Sequence, residues 1–326
     1  MPEPGKRPLP YSILFVFLDG IGLGPDDPAS NPLAASSLPS FEHLAGGRRW
    51  TQAAPRIDRP DHVFRPIDAT LGVDGLPQSG TGQATLFTGV NCATVAGRHF
   101  GPFSHSKTRT VLAEENIFRK IQALGLRIDE PSVFANAYPD RFFSYTERTD
   151  RWTVTTRCCL DAGLRIGTHQ DVLAGAALTA DLTGASWPQA NPPLTPISEA
   201  TAGRRLVQLS RRHAFTLFEY FLSDKAGHSQ SVERAAAVLH ALDRFFAGLL
   251  SSFEAAQSLL IVTSDHGNLE DLSTKSHTLH PVPLLAYGCG AYHFSSVQDL
   301  IGVTPVVVQA LGAAYRRNID GGQRLY

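Results

Sequence analysis

The sequence lacks an apolar run long enough to cross a membrane. None of its hydrophobic stretches approaches the ~20 residues of a transmembrane helix. Near the start, only the run ILFVFL precedes Asp19, which is shorter than a signal-peptide core, and no small-residue cleavage site follows it. We therefore expect a cytoplasmic protein without a membrane partner.

The sequence also lacks an excess of charge of either sign. It carries 29 basic and 30 acidic residues, for a formal net charge of −1, which argues against a general nucleic-acid binder. Cysteine is sparse as well: four are present, Cys158 and Cys159 are adjacent, and no CxxC spacing occurs. Free thiols are expected from this pattern, and neither a disulfide framework nor a cysteine metal site.

What the sequence does contain is an alternation of short apolar runs and longer helical segments. Strands are predicted at 12–18, 132–138, 214–222, 259–263 and 281–288, and helices at 113–124, 199–212, 230–256 and 303–312. Such an alternation predicts an α/β fold of three layers, with a mostly parallel sheet and helices on both faces. The polar, proline-rich stretch 140–198 predicts a small cap inserted between core segments 1–139 and 199–326.

Three of the apolar runs stop at residues that commonly bind metals. Because ligands of open α/β sheets bind beyond the carboxyl ends of the strands, these residues are predicted to share one site. Asp and His together suit a divalent ion, Zn²⁺ or Mn²⁺ in the first place, with Mg²⁺ possible. The residues are Asp19 after ILFVFL, Asp224 and His228 after AFTLFEYFL, and Asp265 and His266 after LLIVT.

Each of these patterns also has an ordinary interpretation. Asp followed by Gly at position 19 is a common turn, and an Asp and a solvent-facing His would also give DxxxH. His277 and His280 lie in KSHTLHPVPLL, where either could complete a histidine-rich site and either alone could be a loop residue. Placement directly after an apolar strand weakens the ordinary interpretation of DxxxH, and for Asp265 and His266 in LLIVTSDHGN it makes the metal interpretation the favoured one.

Ser79 is the candidate nucleophile. It lies in PQSGTGQATLFTG, where a short helix is predicted to begin, and a helix N-terminus favours bound anions. A metal ion at its oxygen would lower the hydroxyl pKa. An N-cap serine would look the same in sequence, and Thr81 and Thr85 are rival hydroxyls.

Taken in order, the motifs DG, PQSGTGQATLFTG, DKAGH, TSDHGN and SHTLHPVP resemble those of the alkaline phosphatase superfamily. Within it, the sequence is most similar to cofactor-independent phosphoglycerate mutase and phosphopentomutase. The resemblance implies two divalent ions and a transiently phosphorylated Ser79. One ion would be bound by Asp19, Ser79, Asp265 and His266, and the other by Asp224, His228 and His277. The spacing of HT before PVP selects His277 over His280.

Two departures from the mutases matter for function. Gln83 occupies a position where the mutases usually have His. The stretch between Ser79 and Asp224 must also supply core elements, which leaves room for a reduced cap only. A mutase has to retain its dephosphorylated intermediate and exclude water, so a reduced cap argues for hydrolysis.

The sequence therefore predicts a two-metal enzyme that hydrolyses a small phosphomonoester through a phosphoserine intermediate. The alternatives are a phosphomutase, a hydrolase of phosphodiesters, phosphonates or sulfate esters, and a non-catalytic metal-binding protein of the same fold. Arg98, His99 and Arg141 are candidate substrate contacts, for which surface ion pairs are the competing interpretation. The identity of the substrate and the oligomeric state are not predicted.

Overall fold

The computed structural model describes residues 9–187 and 192–321, with side chains as far as residue 316. The strands are β1 Ser12–Leu18, β2 Ile57–Arg59, β3 His62–Ile67, β4 Ser132–Phe134, β5 Asn136–Ala137, β6 Leu178–Thr179, β7 Phe215–Tyr220, β8 Ser258–Thr263 and β9 Val282–Gly288. The α-helices are α1 Pro32–Ala35, α2 Pro39–Leu44, α3 Ser79–Thr88, α4 Cys92–Ala96, α5 Arg109–Glu115, α6 Ile117–Gln122, α7 Asp140–Thr149, α8 Val154–Asp161, α9 His169–Leu173, α10 Glu199–Ser210, α11 Leu222–Ser229, α12 Val232–Leu250 and α13 Val303–Gly321.

Seven strands form the main sheet, in the order β2-β3-β9-β8-β1-β7-β4. The pairs β4–β7, β7–β1 and β1–β8 are parallel, whereas β9 runs antiparallel to both β8 and β3. Strand β3 therefore runs in the same direction as β8, and only β2 and β9 run against the others. The predicted mostly parallel α/β sheet is confirmed, with an antiparallel edge that the sequence did not indicate.

Both faces of this sheet are covered, which makes three layers. Alternate residues of β1 point to opposite faces, as the two-residue period of a strand requires. Ile13, Phe15 and Phe17 join one core cluster with residues of α3 and α13, whereas Leu14, Val16 and Leu18 join a second cluster with residues of α10 and α12. All seven residues of β1 are buried, which explains its uninterrupted apolar sequence.

The segment predicted as one helix over 113–124 is two helices, so that prediction was wrong. Asn116 separates α5 from α6 in an extended conformation, with φ −66° and ψ 154°. Its side-chain oxygen accepts hydrogen bonds from the backbone N–H groups of Phe118 and Arg119, and its amide donates to the carbonyl of Leu112. Asn competes in this way for backbone groups that a continuous helix would use.

The predicted cap contains α7, α8, α9 and β6 among its described residues. Val154, Cys158 and Cys159 of α8 are buried in the same core cluster as α3, so part of this stretch packs on the sheet. The division into core and cap stays a prediction. All four cysteines are free, as expected. Among the described helices, none is both long and apolar enough to cross a membrane.

The position of Asn116 generates a stability prediction. Asn116→Ala removes the cap of α6 and leaves the buried Leu112 carbonyl without its donor, so unfolding in urea should show a loss of about 1–2 kcal/mol. Glu114→Ala, at an exposed position of α5, is the matched control and should change stability little. Equal stability of the two variants would contradict the capping role.

Candidate metal centre

The ends of three neighbouring strands bring the ligand-type residues together. Leu18 of β1 pairs with Tyr220 of β7, and Phe17 pairs with Thr263 of β8. Asp19 follows β1 directly, Asp265 lies two residues beyond β8, and Asp224 lies in the first turn of α11, just after β7. The predicted convergence at the carboxyl edge of the sheet is therefore present.

One group of possible ligands consists of Asp224, His228 and His277, whose ligand atoms all lie within 4.8 Å of one another. The Nε2 atoms of the two histidines are 3.2 Å apart. Asp224 Oδ2 is 3.3 Å from His228 Nε2, and its Oδ1 is 3.6 Å from His277 Nε2. His228 is the exposed member of this group, and the other two are largely shielded.

A second group surrounds the buried ring of His266. Its Nε2 lies 3.0 Å from Ser79 Oγ, 3.4 Å from Asp19 Oδ1 and 3.5 Å from Asp265 Oδ2. Asp224 belongs to this group as well as to the first, so the two groups are contiguous. All seven residues predicted as ligands or nucleophile thus lie in one cluster.

The three imidazoles are oriented alike. The Nδ1 atoms of His277 and His228 lie 2.7 and 2.9 Å from the backbone carbonyls of Pro77 and Lys275, and Nδ1 of His266 lies 3.4 Å from that of Gly267. A carbonyl can only accept, so Nδ1 carries the proton, and in a neutral ring Nε2 then offers its lone pair to the cluster. This carbonyl–imidazole pattern is the one that orients metal-binding histidines.

The carboxylates of the cluster have oxygen atoms without hydrogen-bond donors. Asp19 Oδ1 and Asp265 Oδ2 are buried with no partner. Burial, and then the repulsion of Asp265, holds the pKa of Asp19 well above its usual range. Burial and the charge of Asp224 raise the pKa of Asp265 to about 7, and burial with the nearby His277 lowers the pKa of His266 to about 3. Partnerless buried anions beside neutral imidazoles fit a site for divalent cations.

Ser79 is the first residue of α3, but its hydroxyl does not cap the helix. The N-cap position belongs to Gln78, and the Ser79 hydroxyl faces His266. The rival hydroxyls are engaged with the backbone: Thr81 Oγ1 accepts from Phe100 N–H, and Thr85 Oγ1 donates to the Thr81 carbonyl. The alternative of an ordinary N-cap serine is therefore not what the structure shows.

Close packing of the backbone brings α3 and β1 against the other ligands. A Cβ at Gly82 would stand 2.9 Å from the carbonyl oxygen of Asp265, and one at Gly20 would stand 2.7 Å from Asp224 Oδ1. Gly20 also has φ +69°, a conformation that side chains other than glycine rarely adopt. Glycine at these two positions thus allows α3 to approach Asp265, and the loop after β1 to approach Asp224, so closely.

Glu270 joins the loops that carry the ligands, although sequence reasoning did not single it out. Its buried carboxylate accepts from the N–H groups of Gly22 and Asn268, each at 2.8 Å, from the Thr278 hydroxyl, and from His280 Nδ1 at 3.1 Å. Burial raises the pKa of Glu270, but the bonds from His280 and Thr278 outweigh it and lower that pKa. His280 therefore serves this network, whereas His277 joins the cluster.

Other polar residues contact the cluster or lie close to it, and of these only Gln83 was noted in the sequence. Asn268 donates from Nδ2 to Asp224 Oδ1 at 2.6 Å, and Gln83 donates to Asp19 Oδ2 at 3.2 Å. Glu219 lies in the buried strand β7, where burial raises its pKa to about 7 and Thr155 acts in the opposite direction. A charged residue inside the apolar run AFTLFEYFL was the available signal for Glu219.

The three candidate substrate contacts have other surroundings. Arg98 lies over the ring of Phe100, 5.7 Å from its centroid. His99 Nε2 lies 3.1 Å from the carbonyls of both Thr70 and Val73, and Arg141 is exposed on α7. Their role in binding substrate stays a prediction.

Comparison with known sequences points to metal-dependent enzymes. A family described as Metalloenzyme superfamily matches residues 197–315, which include Asp224, His228, Asp265, His266 and His277. The chain is similar to the 2,3-bisphosphoglycerate-independent phosphoglycerate mutases of Thermomicrobium roseum (26% identity over 35% of this chain and 24% of that protein) and Onchocerca volvulus (28% identity over 38% and 26%). The matches thus span about a quarter of the length of these curated relatives.

Solved structures resemble the fold over nearly the whole chain. The PH0037 protein of Pyrococcus horikoshii has a TM-score of 0.53 at 12% identity and covers 92% of this chain and 97% of its own. A mutant alkaline phosphatase of the Antarctic bacterium TAB5 (TM-score 0.51, 12% identity, 94% and 99% covered) and the phosphoglycerate mutase of Leishmania mexicana (TM-score 0.51, 11%, 95% and 96%) share it too. The family match, the partial similarity to the mutases and the common fold together relate this chain to the metalloenzymes of the alkaline phosphatase superfamily.

Proposed function

We propose that the chain is a phosphomonoesterase that acts through a phosphoserine at Ser79. The observation that carries this proposal is the position of the Ser79 hydroxyl, 3.0 Å from His266 Nε2 and beside the partnerless oxygens of Asp19 and Asp265. A serine in an ordinary structural role would not need such neighbours. Its place at the N-terminus of α3 adds a setting that favours anions.

Two divalent ions fit the cluster, and the mixed Asp and His ligands favour Zn²⁺ or Mn²⁺, with Mg²⁺ as a further candidate. Asp19, Ser79, Asp265 and His266 would bind one, and Asp224, His228 and His277 the other. Bound there, the ions would supply the charge that lowers the hydroxyl pKa of Ser79 and offsets that of the phosphoryl group.

The residues of the chain account for the remaining chemistry. Ser79 Oγ attacks phosphorus in line, the ester P–O bond breaks, and the alcohol leaves with a proton. The first N–H groups of a helix have no intrahelical partner. In α3 the N–H of Thr81 already bonds the Phe100 carbonyl, so those of Ser79 and Gly80 would be the donors to phosphoryl oxygens. Water then attacks the phosphoserine, which releases phosphate and restores the Ser79 hydroxyl. The substrate would be a small phosphorylated molecule, in keeping with the expected cytoplasmic location.

A phosphomutase is the second candidate, because the curated relatives in the comparison are phosphoglycerate mutases. It would use the same Ser79 chemistry but return the phosphoryl group to the organic molecule. Product analysis separates the two: a phosphatase releases inorganic phosphate, whereas a mutase yields an isomeric phosphate ester. A panel of sugar phosphates, phosphoglycerates and phosphodiesters with metal-loaded protein would also test the ester-hydrolase alternatives. No turnover on any of them would favour a non-catalytic metal-binding protein.

Ser79→Ala should abolish most turnover while the protein stays folded. The change removes one oxygen that does not cap the helix, yet it deletes the covalent step, so kcat should fall by about 10³-fold or more. Acid-quenched wild-type protein should carry phosphate on Ser79, detected by mass spectrometry. Ser79→Thr should retain part of the rate.

The matched control is Ser231→Ala, which removes a true N-cap hydroxyl from α12. It should lower stability by about 1 kcal/mol and leave kcat unchanged. Phosphate on Thr81 or Thr85, or near-normal turnover by Ser79→Ala, would refute the assignment of the nucleophile.

Removal of the metal ions should give the protein a distinctive pH dependence. Without cations, the folded state holds Asp265 at a pKa of about 7, above its unfolded value, so folding binds protons. The stability of the chelator-treated protein should therefore fall as the pH rises from 6.5 to 8. His266 acts in the opposite direction near the lower limit, because its folded pKa is about 3 while the unfolded imidazole is still about half protonated at pH 6.5. This contribution is smaller than that of Asp265 over the window, so the net stability still falls.

Thermal unfolding at a series of pH values measures this effect. Restoring Zn²⁺ or Mn²⁺ should raise the Tm and flatten the pH dependence, because the cations compensate the charge of the carboxylates. Asp265→Asn should flatten it without any metal, whereas Asp271→Asn, at a loop carboxylate outside the cluster, should behave as wild type. A chelator-treated wild type that gains stability from pH 6.5 to 8 would contradict the argument.

A further inference from the structure

A pocket of about 520 Å³ lies apart from the metal cluster, at the antiparallel side of the sheet. It is lined by Arg56, Arg65, Pro66, Ile67, Asp68, Leu279, Pro281 and Gln298. Strand β3 runs in the same direction as β8, so the end of β3 that forms the pocket lies at the same edge of the sheet as the metal cluster. Leu279 and Pro281 belong to the segment that begins with His277, which connects the two places.

Arg65 is the unusual residue of this pocket. It lies in β3 between Val63 and Ile67, which belong to the apolar core, and it is only 7% exposed. Its Nε and Nη1 atoms are buried without a hydrogen-bond partner. A buried guanidinium with no partner is costly, because the lost hydration is not replaced. A structural arginine at such a place would normally be paired.

The residues around Arg65 add a second positive charge and form no ion pair with it. Ile57 of β2 pairs with Phe64 of β3, so Arg56 stands opposite Arg65 one step further along the register. Asp68 also lines the pocket, but its carboxylate accepts from the Thr70 N–H and hydroxyl and from the Leu71 N–H. Among the described residues, no carboxylate comes within 4.0 Å of either guanidinium to form an ion pair.

We propose that this pocket binds the oxyanion of a small phosphorylated or carboxylated ligand, with Arg65 and Arg56 as its cationic contacts. Guanidinium groups donate in a planar fork that matches the oxygens of phosphate and carboxylate. Arg65 supplies a fixed, buried donor at the base, and Arg56 an exposed donor at the rim. This inference does not depend on the chemistry at Ser79.

The test is the binding of inorganic phosphate to chelator-treated protein, measured by calorimetry and by the shift of the Tm. Without metal ions the Asp cluster repels anions, so the arginine pocket is the site that should respond. Arg56→Gln and Arg65→Met should each weaken phosphate binding at least tenfold. Arg212→Gln, at an exposed arginine outside the pocket, is the matched control and should bind as wild type does.

Stability gives a second readout that separates binding from a structural role. In phosphate-free buffer Arg65→Met should have a higher Tm than wild type, because Met fills the apolar path of the side chain without a partnerless charge. In saturating phosphate the wild type should gain stability and the variant should not. If Arg65→Met is less stable than wild type but still gains stability from phosphate, Arg65 is structural and the proposal is wrong. A wild type that binds no phosphate would also overturn the proposal.

Two sources of the oxyanion can then be told apart. If it is the distal group of the substrate, Arg56→Gln should raise KM at least tenfold for phosphate esters with a second anionic group, and leave KM unchanged for esters without one. If it is a separate small molecule, KM should be unchanged for both kinds of ester while the phosphate binding of the metal-free protein is still lost. Phosphate binding that is unchanged in both arginine variants contradicts either source.

Discussion

The site depends on one constraint: anions and imidazole lone pairs are held together at the carboxyl edge of the sheet, most of them buried away from water. Asp19, Asp224 and Asp265 share a small space with the Nε2 atoms of three histidines, and two carboxylate oxygens there have no donor. Two like charges about 4 Å apart repel by roughly 4 kcal/mol at the effective dielectric constant near a protein surface. The arrangement is stable only if protons or cations compensate the charge. Divalent ions do so without protonating the groups that bind them, which is why the geometry fits a metal centre.

Without bound ions, other contacts must hold these candidate ligands in place. Glu270 has that position, because its carboxylate bonds the loop after β1 through Gly22, the loop after β8 through Asn268, and the segment before β9 through Thr278 and His280. Unlike the three aspartates, it has donors that lower its pKa, so it remains an anion that organises its surroundings. Hydrogen bonds thus compensate the charge of Glu270, which joins these loops. The charges of the three neighbouring aspartates are not compensated in this way.

The parts of this structure that could be read from the sequence are those with a local signal. Apolar runs that end at Asp19, Asp224 and Asp265 indicated both the strands and their shared edge, and the resemblance to the alkaline phosphatase superfamily selected His277 over His280. The parts that could not be read depend on distant partners. Gly22 and Glu270 are 248 residues apart in the chain, and no local pattern marks that contact. The break at Asn116 was missed because helical periodicity outweighed one capping residue. Nothing in the sequence singles out Arg65, because its missing partner is a property of the folded structure.

In the proposed function, hydrolysis and phosphoryl return to the substrate would begin with the same phosphoserine, so the residues around Ser79 do not separate them. The difference is physical: the released alcohol either leaves before water attacks, or stays long enough to take the phosphoryl group back. A large cap lengthens that stay, and here α8 of the predicted cap is packed in the core, so less of the stretch remains to cover the cluster. A pocket that binds a second anionic group of the substrate would lengthen this stay, because it would still hold the alcohol after the phosphate has been transferred. For the function proposed here, the balance between phosphatase and mutase would therefore depend on whether the Arg56–Arg65 pocket binds the same molecule whose phosphate reaches Ser79.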